Sequence, residues 1–393
     1  MQSNSMKYSG RLFVSMILFI HLAFADDPQR TSQSLSLFQQ GFKIEALNST
    51  GFFSNTISNP FTISVTNPAL MVDYETISGG IAMEYRNRLD LNDDLTIDQN
   101  LAWLPQSFGI VKPFNDFRIG LGFSRPYTAN IELDEIPITT NGNSDSLSTA
   151  AFKPVFKTDI YSAGFMAAIR LKKFPGVDRQ LSAGFQTNLD FFNYSGGIPR
   201  VIVTATNLAF HWKAGLIYDH NRRIRFGLTY EKGATISGNY NYKDSYARLT
   251  TGNSSTVGFT QAQINNAFES TLPDKFNAGV LIKLFEKMWI TGNAITVFWG
   301  QSSMGIDNTV GFSGNLIFPL SRKTTLSIGF YRPDPLSDDE NSYQAVKYFS
   351  AGLKQFISNN FLFDFVIVDS QSDNKIYREQ TFIKMGILLQ KNP

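Results

Sequence analysis

The chain has 393 residues, no cysteine, and 35 basic against 33 acidic side chains, a formal net charge of +2. Near-neutrality argues against a nucleic-acid surface, which needs a concentrated basic face, and the absence of thiols excludes a disulfide framework. Hydrophobic residues make up 42% of the chain, with 35 Phe and 29 Gly; moderate hydrophobicity with many aromatics and glycines fits a β-protein whose apolar residues alternate with polar ones.

Lys7 and Arg11 precede an apolar run from Leu12 to Leu22, and Ala23-Phe24-Ala25 follows, just before Asp26-Asp27. A basic start, a short apolar core and a small-x-small site form the pattern of a secretory signal peptide, so residues 1–25 are expected to be removed on export. No Cys follows that site, which excludes a lipoprotein anchor. No later stretch approaches the ~20 continuous apolar residues of a membrane-spanning helix. Residues after Asp26 are polar and Ser/Asn-rich without periodicity, up to Val65-Thr66-Asn67-Pro68-Ala69-Leu70. Pro68 cannot join a β-ladder and biases Asn67 away from helix, so the segment ends there either as an ordinary loop or as the close of a plug.

From Glu75 onward short segments alternate in hydrophobicity. Phe210, Trp212, Ala214, Leu216 and Tyr218 share one parity, with His211, Lys213 and Gly215 between them; after a turn, Ile224, Phe226, Leu228 and Tyr230 repeat the pattern. Side chains alternate across a strand with period two, so this is a hairpin with one oily and one wet face. The same reading predicts fourteen strands, at 75–86, 106–113, 116–125, 157–172, 178–193, 206–219, 223–237, 274–285, 288–300, 308–318, 323–332, 345–357, 360–369 and 379–390. An even number is what a bacterial barrel requires. Glycine recurs on the wet face, at Gly164, Gly184, Gly215, Gly227 and Gly352 among others, which points to bending or to another backbone lying close inside.

Connections after even-numbered strands are short, and those after odd-numbered strands are mostly long: 87–105, 126–156, 194–205, 238–273, 333–344 and 370–378. Outer-membrane barrels have short periplasmic turns and long outside loops. A soluble β-sandwich is the alternative, but these strands are long enough to cross a tilted bilayer, and Tyr85, Tyr218, Tyr230, Trp289, Trp299 and Tyr331 lie near strand ends as interfacial girdles do. The expectation is an all-β, fourteen-stranded antiparallel transmembrane barrel over 73–393, in the outer membrane of a Gram-negative-type bacterium.

The chain also resembles the FadL family of outer-membrane channels for hydrophobic substrates. The likeness rests on Asn67-Pro68-Ala69-Leu70 before the first strand, Ile77–Tyr85, Leu104–Ile110, Phe117–Phe123, Phe210–Tyr218 through Tyr240, Leu272–Phe276 and the last three hairpins. It implies an N-terminal hatch over about 26–72 in the lumen, with Asn67, Pro68 and Ala69 at the hatch motif. It implies passive uptake of long-chain fatty acids or other hydrophobic molecules, captured at outside loops and released sideways at a kink in the third strand. The sequence departs from the family in lacking a small-residue run before the motif and in ending Gln390-Lys391-Asn392-Pro393 without a terminal aromatic. A barrel of the same family that anchors or shuttles secreted proteins, and a water-filled porin, are the competing readings.

Ser124-Arg125-Pro126-Tyr127 follows a clean alternating run, and Pro126 removes a ladder hydrogen bond; it either kinks the strand or ends it. Loops 126–156 and 238–273 match the capture positions. The second holds Phe259, Ile264 and Phe268 at the spacing of a short amphipathic helix, or of a packed loop. Arg118, Arg170, Lys213, Arg225, Lys283 and Lys384 fall on the inward parity; Arg118, Lys213 and Arg225 are the candidates to hold a carboxylate, or they pair with lumen acids such as Asp190 and Glu231. After export only His211 and His220 remain, with no Ser motif beside His211, so neither catalysis nor a metal site is expected. No cofactor is expected either. The implied partners are outer-membrane lipid and a hydrophobic ligand, with the chain as a monomer.

Overall fold

The computed structural model describes residues 47–53, 55–59, 66–86, 89–92, 95–97, 103–133, 136–139, 149–152, 155–174, 179–198, 201–239, 241–244, 267–301, 307–333, 347–371 and 381–390. Fourteen antiparallel strands form the wall: β1 (Ser78–Arg86), β2 (Leu104–Phe114), β3 (Phe117–Leu133), β4 (Val155–Phe174), β5 (Arg179–Ile198), β6 (Val201–Asp219) and β7 (Ile224–Lys232), then β8 (Asp274–Phe285), β9 (Met288–Phe298), β10 (Thr309–Pro319), β11 (Thr324–Arg332), β12 (Lys347–Phe356), β13 (Phe361–Gln371) and β14 (Thr381–Gln390). Each pairs with its neighbour in the chain. The ladder from Ser78↔Gln390 to Arg86↔Phe382 returns β14 to β1. The sheet is therefore closed, and a closed ladder is what satisfies backbone polar groups where no water is present.

The two faces are inverted relative to a soluble protein. Phe165, Phe185, Phe210 and Phe312 are 51%, 47%, 62% and 59% exposed on the outside, while Ser162, Ser182, Gln186, Asn188 and Asp190 are buried on the inside. A sandwich would bury the apolar parity. An outer surface this rich in exposed Phe, Leu and Ile is one that lipid covers rather than water.

Short turns close one end. Asn115 adopts a positive φ of 52° between β2 and β3, a conformation its short polar side chain tolerates. Asn221 Oδ1 accepts from Arg223 N and Ile224 N at 2.7 and 2.8 Å, and Ser321 Oγ does the same for Lys323 N and Thr324 N. At the other end β5 and β6 run on to Ile198 and from Val201, shortening the expected 194–205 loop. The expected strand 223–237 is divided: its second part, Thr235–Asn239, pairs with Ala267–Thr271. Phe268 therefore lies in a strand, not on a helical turn, because the hairpin satisfies its backbone; Phe259 and Ile264 lie outside the described residues.

Residues before β1 bond to inward-facing groups of the wall. Pro68–Asp73 form a 3-10 turn capped by Asn67, whose Oδ1 accepts from Ala69 N at 2.9 Å. Asn67 Nδ2 donates to Leu216 O and Leu228 O at 2.9 and 3.1 Å. Ser49 N, Ser49 Oγ and Asn59 Nδ2 each donate to the Asp364 carboxylate at 2.8 Å. Phe52 N donates to Asn315 Oδ1, Asn55 Nδ2 to Asn277 O, and Thr229 Oγ1 to Asn55 Oδ1. Two wall glycines make room for this backbone: a Cβ on Gly184 would sit 2.3 Å from Ala69 N, and one on Gly352 would sit 2.5 Å from Ser49 O.

Candidate functional site at the strand 3 bulge

β3 does not end at Pro126 but continues to Leu133. A bulge absorbs the proline. Ser124 pairs with Ser162 of β4 and Tyr127 with Ile160, so Arg125 and Pro126 together oppose only Tyr161. An extra residue of this kind bends the strand and leaves ladder groups unpaired.

On the other side of β3, the ladder with β2 stops at Ser107↔Ser124. Carried two steps further, that register would set Gln106 against Arg125 and Pro105 against Pro126. Neither proline has an N–H to donate. Pro105 instead pairs with Met83 of β1, and Gln106 is skipped in that ladder. The wall thus carries a seam between β2 and β3 with a proline on each lip.

Arg125 pins the bulge to β4. It is 6% exposed, and its Nη2 donates to Asp159 Oδ1 at 2.7 Å and to Thr128 Oγ1 at 2.5 Å. Thr128 Oγ1 donates to the same carboxylate at 2.6 Å, and the guanidinium lies 5.6 Å from the Tyr161 ring centroid. A charge-assisted pair of this kind is stronger than a neutral hydrogen bond, while Arg125 Nε is buried without a partner.

Behind the bulge the inner wall changes character. Tyr127, Ile160, Ala209, Ala234 and Ile236 form a buried apolar cluster, with Phe192 and Leu272 packed against it. A polar network borders it: His211 Nδ1 lies 2.7 Å from Asp190 Oδ2, and His211 Nε2 lies 2.7 Å from Asn188 Nδ2. Lys213 and Lys275 reach the two oxygens of Glu231 at 2.6 and 3.2 Å. The enclosed space between cluster and network is about 30 Å³, bounded by Pro126, Tyr127, Ile160, Asp190 and His211. That is room for about one water, and Asp190 Oδ1 there has no hydrogen-bond partner.

Four of the six cations expected to face inward, Arg118, Arg170, Lys213 and Arg225, are engaged by protein acceptors. Arg118 is buried, its Nε donating to Tyr74 O at 2.6 Å and its Nη1 to Phe117 O at 3.0 Å. Arg225 is held by Asp73 and Asp219 at 2.7 and 2.6 Å. Arg170 donates to Val72 O at 2.8 Å, Lys283 lies over the Trp289 ring, and Lys384 is buried. Burial, and then the Asp73 charge, hold the hydroxyl of Tyr74 protonated well above its usual range. The structure sets Asn67, Pro68 and Ala69 of the expected motif against β5 and β6, and sequence reading misses Pro105, Asp159 and Asp364. For Asp159 and Asp364 the signal is an acid buried within a strand, and for Pro105 it is an exposed proline next to the buried Gln106 and Ser107.

A scan against known protein families finds no match, and a search of curated proteins finds none. Solved structures do match. The toluene transporter TbuX of Ralstonia pickettii superposes with a TM-score of 0.61 at 12% identity, covering 85% of this chain and 94% of that one. The CymD monoaromatic hydrocarbon channel gives 0.61 at 12% identity over 90% and 99%. A Pseudomonas aeruginosa FadL homologue gives 0.59 at 14% identity over 89% and 99%. Near-complete coverage at such low identity establishes architecture: the chain has the fold of the FadL-like fourteen-stranded barrels.

Proposed function

We propose that the protein is an outer-membrane channel for passive uptake of hydrophobic molecules, long-chain fatty acids or hydrocarbons, which leave sideways through the β2–β3 seam. One observation carries this: the ladder stops between Pro105 and Pro126, directly beside the apolar cluster of Tyr127, Ile160 and Ile236. In hydrocarbon a broken ladder is tolerated only where the freed groups face protein or a cavity. The solved structures of the same fold include toluene and monoaromatic hydrocarbon channels. In this reading residues 26–72 form the hatch, with Asn67, Pro68 and Ala69 at its wall contact, and residues 73–393 form the barrel. The connections from β3 to β4 and from β7 to β8, within the expected loops 126–156 and 238–273, collect substrate from outside. Charge balance around the inner network favours uncharged ligands at least as much as carboxylates, because Glu231 and Asp190 together offset Lys213 and Lys275.

The native chain has no cysteine, so a Pro105→Cys/Pro126→Cys pair can lock the seam cleanly. Liposomes carrying the oxidised pair should lose entry of toluene and of labelled fatty acid, and a reductant should restore it. Unchanged entry through a verified disulfide would rule out sideways exit.

A further inference from the structure

A second, larger cavity lies at the short-turn end of the barrel and shares no lining residue with the one behind the bulge. Its volume is about 510 Å³, within the roughly 300–1,000 Å³ of small-molecule sites. It opens among the first residues of β5, β7 and β9, the last of β6, and Leu281 and Lys283 of β8; residues 56–58 supply another wall.

Its charge is one-sided. Arg179, Arg222, Arg223, Arg225 and Lys283 line it against a single carboxylate, Asp219. Asp219 is already committed, because its two oxygens take Arg225 Nε and Nη2 at 2.6 and 3.2 Å. Asp73 grips the same guanidinium from the pre-barrel segment at 2.7 and 3.2 Å. Arg225 is therefore a fixed strut. The turn that carries Arg222 and Arg223 is fixed too, through the two backbone bonds accepted by Asn221. Lys283 lies 4.8 Å from the Trp289 ring centroid at the lip, and Ile57, Ile224 and Leu281 add apolar surface.

Four of the five cations are arginines, whose planar fork matches phosphate and carboxylate oxygens two at a time. A monocarboxylate would offset only part of this excess, whereas a phosphate group presents three acceptor oxygens and up to two charges near neutral pH. We propose that this cavity is an anion site for a phosphate group, carried either by a phospholipid headgroup of the adjoining leaflet or by a free phosphate ester. It is separate from the hydrophobic path and holds whether or not that path is as proposed.

The test uses the full chain in a non-ionic detergent, titrated with dihexanoylphosphatidylglycerol, glycerol 3-phosphate and the phosphate-free monohexanoylglycerol. Arg222→Gln/Arg223→Gln changes an exposed turn and leaves the Arg225 strut intact. Arg322→Gln/Lys323→Gln removes the same charge from another exposed short turn. The first pair should weaken phosphate binding about tenfold or more, the scale of one lost charge-assisted contact, while the second leaves it unchanged. Binding of the lipid alone assigns the headgroup; equal binding of glycerol 3-phosphate assigns the free ester. Equal loss in both pairs, no loss in the first, equal affinity for the phosphate-free probe, or binding of neither phosphate probe overturns the proposal.

Discussion

Asn67 stands where a side chain on Gly215 would have to go: a Cβ there would fall 1.9 Å from Asn67 Oδ1. The vacancy lets one side chain tie its own 3-10 turn to the backbones of β6 and β7. Gly215→Val should therefore force the turn off the wall, at a cost of about 1–3 kcal/mol as overpacking. The temperature at which the folded band is lost on unheated-versus-heated gels reports it. Gly314→Ala is the control: its nearest neighbour is 4.0 Å away, so the change should stay within about 0.5 kcal/mol of wild type.

Asp364 accepts three hydrogen bonds from the pre-barrel segment, two from Ser49 and one from Asn59. Asp364→Ala removes the acceptor of three buried donors, and each group left unsatisfied costs about 1–3 kcal/mol. The segment should loosen before the wall does. Limited proteolysis is expected to cut near residues 47–59 in the variant while the barrel resists; identical cleavage patterns would count against a segment held by this carboxylate.

The Arg125–Asp159 pair is 6% and 2% exposed, so breaking it should differ from replacing it. Arg125→Met leaves the buried Asp159 carboxylate only Thr128 Oγ1 at 2.6 Å and the half-exposed Lys157 at 3.6 Å, a loss of up to about 3–5 kcal/mol. The double variant Arg125→Met/Asp159→Leu should recover much of that loss, since neither charge remains. Thermal stability of the four members of the cycle measures the coupling. Because Arg125 is half of the bulge, toluene entry should fall in the single variant as well.

Deleting residues 26–66 removes the partners of Asp364, Asn315 and Thr229. If these residues close the lumen, single-channel conductance in planar bilayers should rise from near silence to that of an open pore. Unaltered conductance would refute the hatch.

The wall was legible because its physics is local. Alternation such as Phe210, Trp212, Ala214 and Leu216 against His211, Lys213 and Gly215 fixes strand and facing together. What escaped depends on register, which alternation alone does not set. Pro105 reads as loop from its neighbours, and only pairing with Met83 brings it into β2. Pro126 reads equally as a kink or a stop, and the bulge opposite Tyr161 decides it. Lys213 was visibly inward, but its partner Glu231 could be fixed only by the ladder that places the two opposite each other. Phe268 misleads because apolar spacing over ten residues does not separate a helix from a hairpin arm.

The closed ladder between β1 and β14 also constrains how the molecule is made. β1 follows the Pro68–Asp73 turn after only residues 74–77, and the nine pairs from Ser78↔Gln390 to Arg86↔Phe382 join the two ends of the wall. Side chains of β7, β10 and β13 already hold the segment from within. The contacts of residues 49–55 are complete only when β7, β10 and β13 stand in one wall, so they depend on the same closure as the β1–β14 ladder.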